Sequence, residues 1–171
     1  AEGGAVVAEG FVQVALAAAE RSGDPIDGEV GVAQIALDVG LDAFAQRFAR
    51  QHGLLNSVRG GGHNIAGLAV CNGGLMIDMS ALRGVWVDPA QRVAKAQAGC
   101  TLADVDRETQ VHGLAAVLGF VSATGIAGLT VGGGFGYLTR RHGWTCDNLL
   151  SIEVVTAAGQ VLHVSGSEHA A

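Results

Sequence analysis

With 171 residues, of which 49% are apolar, the chain is long enough to bury one sizeable core. Charged residues make up only 15% of it, the formal net charge is −6, and no Lys/Arg cluster occurs. This composition argues against a nucleic-acid-binding or anionic-membrane-binding surface. The three cysteines (Cys71, Cys100 and Cys146) lack C-x-x-C spacing, so we expect no metal site and reduced thiols in a cytoplasmic protein.

The N-terminal segment 1–40 has no clear organising pattern. The alanine-rich stretch from Glu9 to Arg21 predicts a helix, and the polar Glu9 and Gln13 argue against a signal peptide or a membrane span. A short strand is predicted around Val30, Val32 and Ile35.

A helix is predicted next, because Leu41, Phe44, Ala45 and Phe48 recur at helical spacing and Gly53 can end it. This helix leads through Leu54 and Leu55 into a strand. The later elements are predicted to be six short strands and one capped helix. Four of the strands form two hairpins, 68–71/75–79 around Asn72-Gly73-Gly74 and 149–157/160–165, and the other two are 84–87 and 92–97. The helix runs from Thr101 to Gln110 with Asp104 in its capping box. This mixture predicts an α+β fold.

Residues 113–139 contain no charged residue, and this uncharged segment is long enough to form a transmembrane helix. The window contains eight glycines, three of them consecutive at 132–134. Each glycine costs about 1 kcal/mol relative to alanine in a helix, so a continuous span is disfavoured. We interpret the segment as a glycine-dense wall beside a large planar ligand, and a membrane segment stays the alternative.

The most informative stretch is Ser57-Val58-Arg59-Gly60-Gly61-Gly62-His63-Asn64. Consecutive glycines allow positive φ and let backbone N–H groups converge on an anion, although the same pattern also occurs in plain surface turns. No Gly-Lys-Ser/Thr follows, and no G-x-G-x-x-G opens a helix, so neither a Walker A loop nor a Rossmann turn is indicated.

A second glycine segment, Gly125-Ile126-Ala127-Gly128-Leu129-Thr130-Val131-Gly132-Gly133-Gly134-Phe135-Gly136-Tyr137, follows the first, and then Gly143-Trp144-Thr145-Cys146-Asp147-Asn148. Together these motifs resemble the FAD-linked oxidases of the vanillyl-alcohol-oxidase type, in particular the berberine-bridge-enzyme and hydroxynicotine-oxidase group, over about residues 44–165. The resemblance implies a PCMH-type FAD-binding domain, in which two α+β subdomains surround FAD. It also implies a C-terminally truncated chain: an atypical segment 1–40, a partial FAD-binding domain over 41–171 and no substrate domain.

The resemblance implies that His63 is covalently bonded to the flavin and that both glycine segments contact FAD. A neutral imidazole is a competent nucleophile, which suits that role. Val121 occupies the position where some relatives carry a second, cysteinyl link, and Leu129 stands where many relatives have a histidine. The implied cofactor-binding residues are Arg59, Gly60, Gly61, Gly62, His63, Asn64, Gly67, Thr124, Gly125, Gly128, Leu129, Gly133, Gly134, Gly136 and Val154.

The implied function is the FAD-binding part of an oxidoreductase that oxidises a small alcohol, amine or sugar by hydride transfer to the flavin. The partner is a small-molecule substrate, with no nucleic acid and no membrane. No catalytic residue can be assigned, and we expect the isolated fragment to be inactive. The alternative is a non-catalytic remnant that binds no flavin. We also expect Gly134→Val to abolish FAD retention more than it harms the fold.

Overall fold

The structure is a computed structural model that describes residues 11–18 and 39–168, with side chains from Asp42 onward. Its strands are β1 (Phe11–Ala18), β2 (Asn56–Arg59), β3 (Leu75–Asp78), β4 (Val85–Asp88), β5 (Val93–Gln97), β6 (Leu114–Ala116), β7 (Leu149–Val155) and β8 (Val161–Ser165). Its helices are α1 (Val39–Gln51), α2 (Leu102–Gln110), α3 (Ile126–Val131) and α4 (Thr139–His142), followed by a 3₁₀ turn at Cys146–Asn148. The α+β prediction is confirmed. The strand predicted around Val30, Val32 and Ile35 lies outside the described residues.

The larger sheet has the strand order β4-β5-β1-β7-β8, and β6 pairs with the far end of β1. β1 is antiparallel to β5, with Phe11 opposite Gln97, and antiparallel to β7 on its other edge. The predicted helix over Glu9–Arg21 is therefore wrong across Phe11–Ala18. Alanine favours a helix locally, but a strand with partners on both edges satisfies its backbone N–H and C=O groups, and that pairing overrides propensity.

The smaller sheet consists of β2 and β3, which run parallel with Asn56 opposite Leu75 and Arg59 opposite Asp78. The predicted hairpin around Asn72-Gly73-Gly74 is wrong, because β3 pairs with β2 and residues 68–71 form no strand. As a result both strands end on the same edge, and the first glycine motif begins at that edge.

Helix α1 ends near Gly53, whose φ of +61° is typical of the residue after a helix C-terminus. Its buried face differs from the prediction. Ala43 and Ala49 are buried together with Asp42 and Gln46, whereas Phe44 is 59% exposed and Phe48 is 40% exposed. Small side chains let the helix pack closely against β3 and β7, and the Gln46 carboxamide accepts a hydrogen bond from Asn56.

Most of the core lies between the larger sheet and α2, and it is built from small and medium side chains, among them Ala94, Ala96, Leu102, Val105 and Ile152. The predicted hairpin of β7 and β8 is confirmed, with Val154 opposite Leu162. The capping box is also confirmed, because the Asp104 carboxylate accepts the Thr101 N–H at 2.8 Å. In the described ranges, no helix is long and apolar enough to cross a membrane.

Candidate functional site

The first glycine loop, defined here as Gly60–Asn64, begins where β2 ends. Gly62 has φ of +71°, a conformation that L side chains rarely adopt, and it turns the chain outward so that His63 and Asn64 are exposed. Within the described part of the chain, no acceptor takes the N–H groups of Gly60, Gly61, Gly62 or His63. Four successive free donors at the end of a strand can converge on an anion.

The two glycine segments meet backbone to backbone. A Cβ on Gly61 would lie 2.6 Å from the Gly125 Cα, and a Cβ on Gly125 would lie 2.9 Å from the Gly61 Cα, so neither position has room for a side chain. Cys100 and Thr101 hold the second segment in this position: the Cys100 carbonyl accepts the Ile126 N–H at 2.9 Å, and Thr101 bridges Gly125. The structure thus brings together motifs that are 64 positions apart in the sequence.

His63 stands at the exposed tip of the first glycine loop. Within residues 11–18 and 39–168, no hydrogen bond holds its imidazole, so the ring is accessible to a ligand. Asn64 makes hydrogen bonds within its own segment: its Oδ1 accepts the Leu68 N–H at 3.0 Å, and its carbonyl accepts the Gly67 N–H at 3.1 Å. Gly67 reaches this turn with φ of +75°.

The second glycine triplet, Gly132–Gly134, is fixed from within the chain. The carbonyls of Gly133 and Gly134 accept the N–H groups of Cys146 and Thr145, each at 2.9 Å. Gly133 and Gly134 have φ of +104° and +74°. A Cβ on Gly134 would lie 2.5 Å from the Thr145 Cβ. A side chain at Gly134 would clash with protein atoms, so Gly134→Val harms the fold directly, and a loss of FAD retention beyond that harm stays a prediction.

The other predicted residues differ in their surroundings. Gly128 is exposed, and a Cβ added there would meet no atom within 4 Å, whereas a Cβ on Gly136 would lie 2.8 Å from the Leu118 carbonyl carbon. The Thr124 carbonyl accepts the Leu102 N–H at 2.9 Å. Leu129 is half-buried, with its side chain between Gly119 and Gly134. Val154 is 7% exposed in the core of the larger sheet. Their cofactor contacts stay predictions.

Sequence reasoning missed a row of exposed aromatic rings beside the second glycine segment. The ring centroids of Phe120 lie 4.7 Å from Tyr137 and 5.3 Å from Phe135, and Phe135 lies 5.5 Å from Trp144. Trp144 also packs over Gly133, 3.3 Å from the position of an added Cβ. The sequence does indicate this row, since these four residues are half of the eight aromatics in the chain. It does not indicate that they are exposed, because aromatic residues are usually assigned to the core.

Sequence reasoning also missed Asp78, which pairs with Arg59 at 3.1 Å. The parallel pairing of β2 and β3 creates this contact, and the predicted hairpin concealed it. Arg59 is one of the predicted cofactor-binding residues, and its Nη1 is engaged with this carboxylate, so its cofactor contact stays a prediction for the rest of the guanidinium.

Cys100, whose carbonyl supports the second glycine segment, adds no reactive thiol there. Burial, followed by the nearby Asp104 carboxylate, raises the pKa of the Cys100 thiol to about 12, so it stays protonated and unreactive. Cys71 and Cys146 are also free thiols. Among the residues that the structure describes, no group of His, Cys, Asp and Glu could hold a metal ion.

These features fit a dinucleotide cofactor with a pyrophosphate and a large ring. The first glycine loop has free N–H donors for an anion, the apposed glycines let a ligand approach the backbone, and the glycine-rich wall next to exposed aromatic rings suits a planar group. FAD has both parts.

Comparison with known families agrees with this description. A sequence model of the family described as "FAD binding domain" matches residues 43–165. The chain is 38% identical over 132 residues to (R)-6-hydroxynicotine oxidase of Paenarthrobacter nicotinovorans, covering 77% of this chain and 29% of that protein. It is 46% identical over 96 residues to the FAD-linked oxidoreductase pgmH of Aspergillus terreus, covering 56% of this chain and 20% of that protein.

Solved structures give the same result. The crystal structure of 6-hydroxy-D-nicotine oxidase from Arthrobacter nicotinovorans matches with a TM-score of 0.76 and 33% identity, over 90% of this chain and 33% of that one. Glucooligosaccharide oxidase from Acremonium strictum, whose FAD is described as 6-S-cysteinyl and 8α-N1-histidyl, matches with a TM-score of 0.71 and 31% identity, over 80% of this chain and 29% of that one. The chain therefore spans about a third or less of these relatives. The resemblance to FAD-linked oxidases is confirmed.

Proposed function

Since this chain belongs to the FAD binding domain family, we propose that it forms the FAD-binding part of a flavin-dependent oxidoreductase and that His63 bonds covalently to the cofactor. The substrate class we propose is a small alcohol, amine or sugar. The similarity to oxidases that act on hydroxynicotine and on glucooligosaccharides supports an amine or sugar substrate.

The observation that carries this proposal is the contact between Gly61 and Gly125. It aligns the free N–H groups of the first glycine loop with the start of the second segment, and His63 follows two residues later at the exposed tip. This close backbone contact holds the donors of the first glycine loop beside the second segment, where one ligand can contact both.

In this proposal the N–H groups of Gly60, Gly61, Gly62 and His63 bind the pyrophosphate, and the second segment packs against the ring system. The backbone donors do so in an acidic protein because they act locally and need no favourable overall field. Bound FAD would supply the hydride acceptor for oxidation of the substrate. The residues present orient the cofactor, and we assign no catalytic acid or base to them.

The covalent link needs a nucleophile that is deprotonated at one ring nitrogen, which neutral His63 offers. Net, one N–H bond of the imidazole and one C–H bond of a flavin methyl group are replaced by one C–N bond. Two protons and two electrons leave, and dioxygen, reduced to hydrogen peroxide, is a sufficient acceptor for them. Val121 has no group that could form a second link, so the proposal requires a single tether.

The test is whether flavin survives denaturation. We expect the purified protein to be yellow, to keep flavin fluorescence on a denaturing gel and to show the mass of one added FAD. His63→Ala should lose the denaturation-resistant flavin and keep reversible binding. The matched control His112→Ala, at another exposed histidine, should keep both signals.

Two results would contradict parts of the proposal. A colourless protein that binds no added FAD would favour the alternative, a remnant without flavin. Flavin that survives denaturation in His63→Ala, or that is lost in Cys146→Ala, would move the attachment point to another residue.

A further inference from the structure

An ion pair lies directly under the first glycine loop. Arg59 and Asp78 are the last residues of the parallel strands β2 and β3 and stand opposite each other. The Arg59 Nη1 donates to both carboxylate oxygens of Asp78, at 3.2 Å and 3.1 Å. The Met79 N–H donates to the Arg59 carbonyl at 2.8 Å, so the two strand ends are joined by both backbone and side chains.

The rest of the Arg59 guanidinium lies against Gly62. A Cβ on Gly62 would lie 3.3 Å from the Arg59 Nε and 3.6 Å from its Nη2. The arginine therefore folds back beneath the loop instead of extending into solvent. Its Nε and Nη2 lie beside Gly62, whose N–H has no acceptor among the described residues, while Nη1 is occupied by Asp78.

Asp78 is itself held in place by the turn that follows β3. Its Oδ1 accepts the Ser80 N–H at 2.9 Å. The Ser80 N–H and hydroxyl, and after them Arg59, hold the pKa of Asp78 below its usual range, so the carboxylate is charged at neutral pH. The two side chains are 37% and 39% exposed, and an exposed pair contributes little to stability. A contribution to the stability of the fold therefore does not account for this ion pair.

We propose that Asp78 is a positioning residue for the anion site: it holds Arg59 beneath Gly62 so that the remaining guanidinium hydrogens join the loop N–H groups in binding a pyrophosphate. This rests on the proposed function. Arg59 is the residue that touches the ligand, and Asp78 acts through it. An arginine suits the task because its rigid fork can meet a carboxylate on one side and a phosphate on the other.

Removing the Asp78 charge could change ligand affinity in either direction. By charge alone, a carboxylate near an anion site repels the ligand, so neutralising Asp78 would tighten binding. Positioning predicts the reverse, because a released Arg59 is a long, mobile side chain that must be ordered again when the ligand binds. The direction of the change in affinity separates the two accounts.

The experiment uses the His63→Ala protein, in which binding is reversible, and measures the Kd of FAD and of ADP, which has the pyrophosphate but no flavin. Asp78→Asn keeps an oxygen for the Ser80 N–H, removes the charge and replaces the other oxygen that accepts from Arg59 by an NH2 group. We expect it to raise both Kd values on the order of tenfold, which corresponds to about 1.4 kcal/mol. Arg59→Gln should raise them at least as much, and the double variant should resemble Arg59→Gln alone.

Two further variants sharpen the result. Asp88→Asn is the matched control, since Asp88 also ends a strand and caps a turn, accepting the Ala90 N–H at 2.9 Å. It should leave both Kd values unchanged. Arg59→Lys keeps the positive charge and leaves the Asp78 turn intact, but one ammonium group cannot serve both sides, so its Kd values should approach those of Arg59→Gln. This variant keeps the test decisive if Asp78→Asn fails to fold.

Equal or lower Kd values for Asp78→Asn overturn the positioning role, as does a double variant whose effect is the sum of the two single effects. Full binding by Arg59→Lys overturns it as well. If the His63→Ala protein binds FAD and ADP while these variants behave like it, only this inference fails. If the protein binds neither ligand, the proposed function fails and this inference with it.

Discussion

The two glycine triplets are alike in sequence and different in structure. In Gly60–Gly62, the tightest contact joins Gly61 to Gly125, and no acceptor among the described residues takes the N–H groups. Gly132–Gly134 is bonded to its own chain, because the carbonyls of Gly133 and Gly134 accept from Cys146 and Thr145. We call Gly60–Gly62 the open triplet, because its N–H groups are available to a ligand, and Gly132–Gly134 the closed triplet, because protein atoms pack against it.

The difference shows that a glycine run can serve two purposes. In the closed triplet, positive φ and absent side chains let two segments of the chain pack against each other, so the glycines are a requirement of the fold. In the open triplet the same freedom is left for a ligand. Apart from Gly61, which packs against Gly125, the two triplets should therefore respond differently: a side chain at Gly134 should lower stability, and one at Gly62 should mainly lower FAD affinity.

The largest effect is expected where the open triplet touches the second segment. Gly61→Ala would put a methyl group against the Gly125 backbone, which cannot move aside as a flexible side chain would. We expect the free energy of unfolding to fall by about 3 kcal/mol or more, measured by chemical denaturation. Gly128→Ala is the matched control, because an added Cβ there meets no atom within 4 Å and α3 gains a better helix former. Equal stability of both variants would disprove the apposition.

Gly134→Ala tests the closed triplet. The new methyl group would meet Thr145, and alanine would be forced to φ of +74°. We expect a loss of roughly 2 to 3 kcal/mol from the clash and the backbone strain together. Any loss of FAD should follow the loss of folded protein in the same samples. If FAD binding is lost while denaturation midpoints are unchanged, Gly134 faces the cofactor after all.

Sequence alone could predict the α+β class, the two glycine motifs and their family, because those depend on local residue types in a fixed order. The β7–β8 hairpin and the Asp104 capping box were also predictable, since a turn and a cap are set by residues a few positions apart.

Long-range pairing could not be predicted. β1 reads as an alanine-rich helix until β5 and β7 are known to flank it, and β3 reads as half of a hairpin until β2 is known to be its partner. The exposed Phe44 and Phe48 show the same limit: periodicity locates a helix, and only the packing against β3 and β7 decides which face is buried. Asp78 was missed because its role depends on that pairing.

A smaller effect is expected at Asp104, which anchors the segment that supports Gly125. Burial alone would raise its pKa, but the Thr101 N–H and hydroxyl and the Arg83 guanidinium together lower it. Asp104→Asn should cost about 2 kcal/mol at pH 7, because it leaves these donors poorly matched. Because the pKa of Asp104 is lower in the folded protein than its unfolded value near 3.9, the ionised carboxylate stabilises the fold above about pH 4. The difference in free energy of unfolding between variant and parent should therefore shrink as pH falls below about 4.

The control for that pH series is Asp106→Asn on the same helix. Burial raises the pKa of Asp106, so its charge opposes folding at neutral pH and its removal should be neutral or slightly stabilising. A stability difference for Asp104→Asn that stays constant down to pH 2 would mean that the ion pair and cap do not stabilise the fold.

Apart from the control variants, the smallest change in stability is expected for Gly62→Ala, and it separates the two triplets most clearly. Gly62 has φ of +71°, close to that of Gly134, but only the Arg59 side chain lies near an added Cβ. Without a backbone clash, the cost reduces to the left-handed conformation, about 1 kcal/mol. Affinity for FAD in the His63→Ala background should fall further than stability does, because relaxing this strain redirects the N–H groups of Gly62 and His63. Denaturation midpoints and Kd values measured on the same preparations provide the check. If Gly62→Ala destabilises the protein as much as Gly134→Ala and leaves FAD affinity unchanged, the open triplet is a structural turn like the closed one.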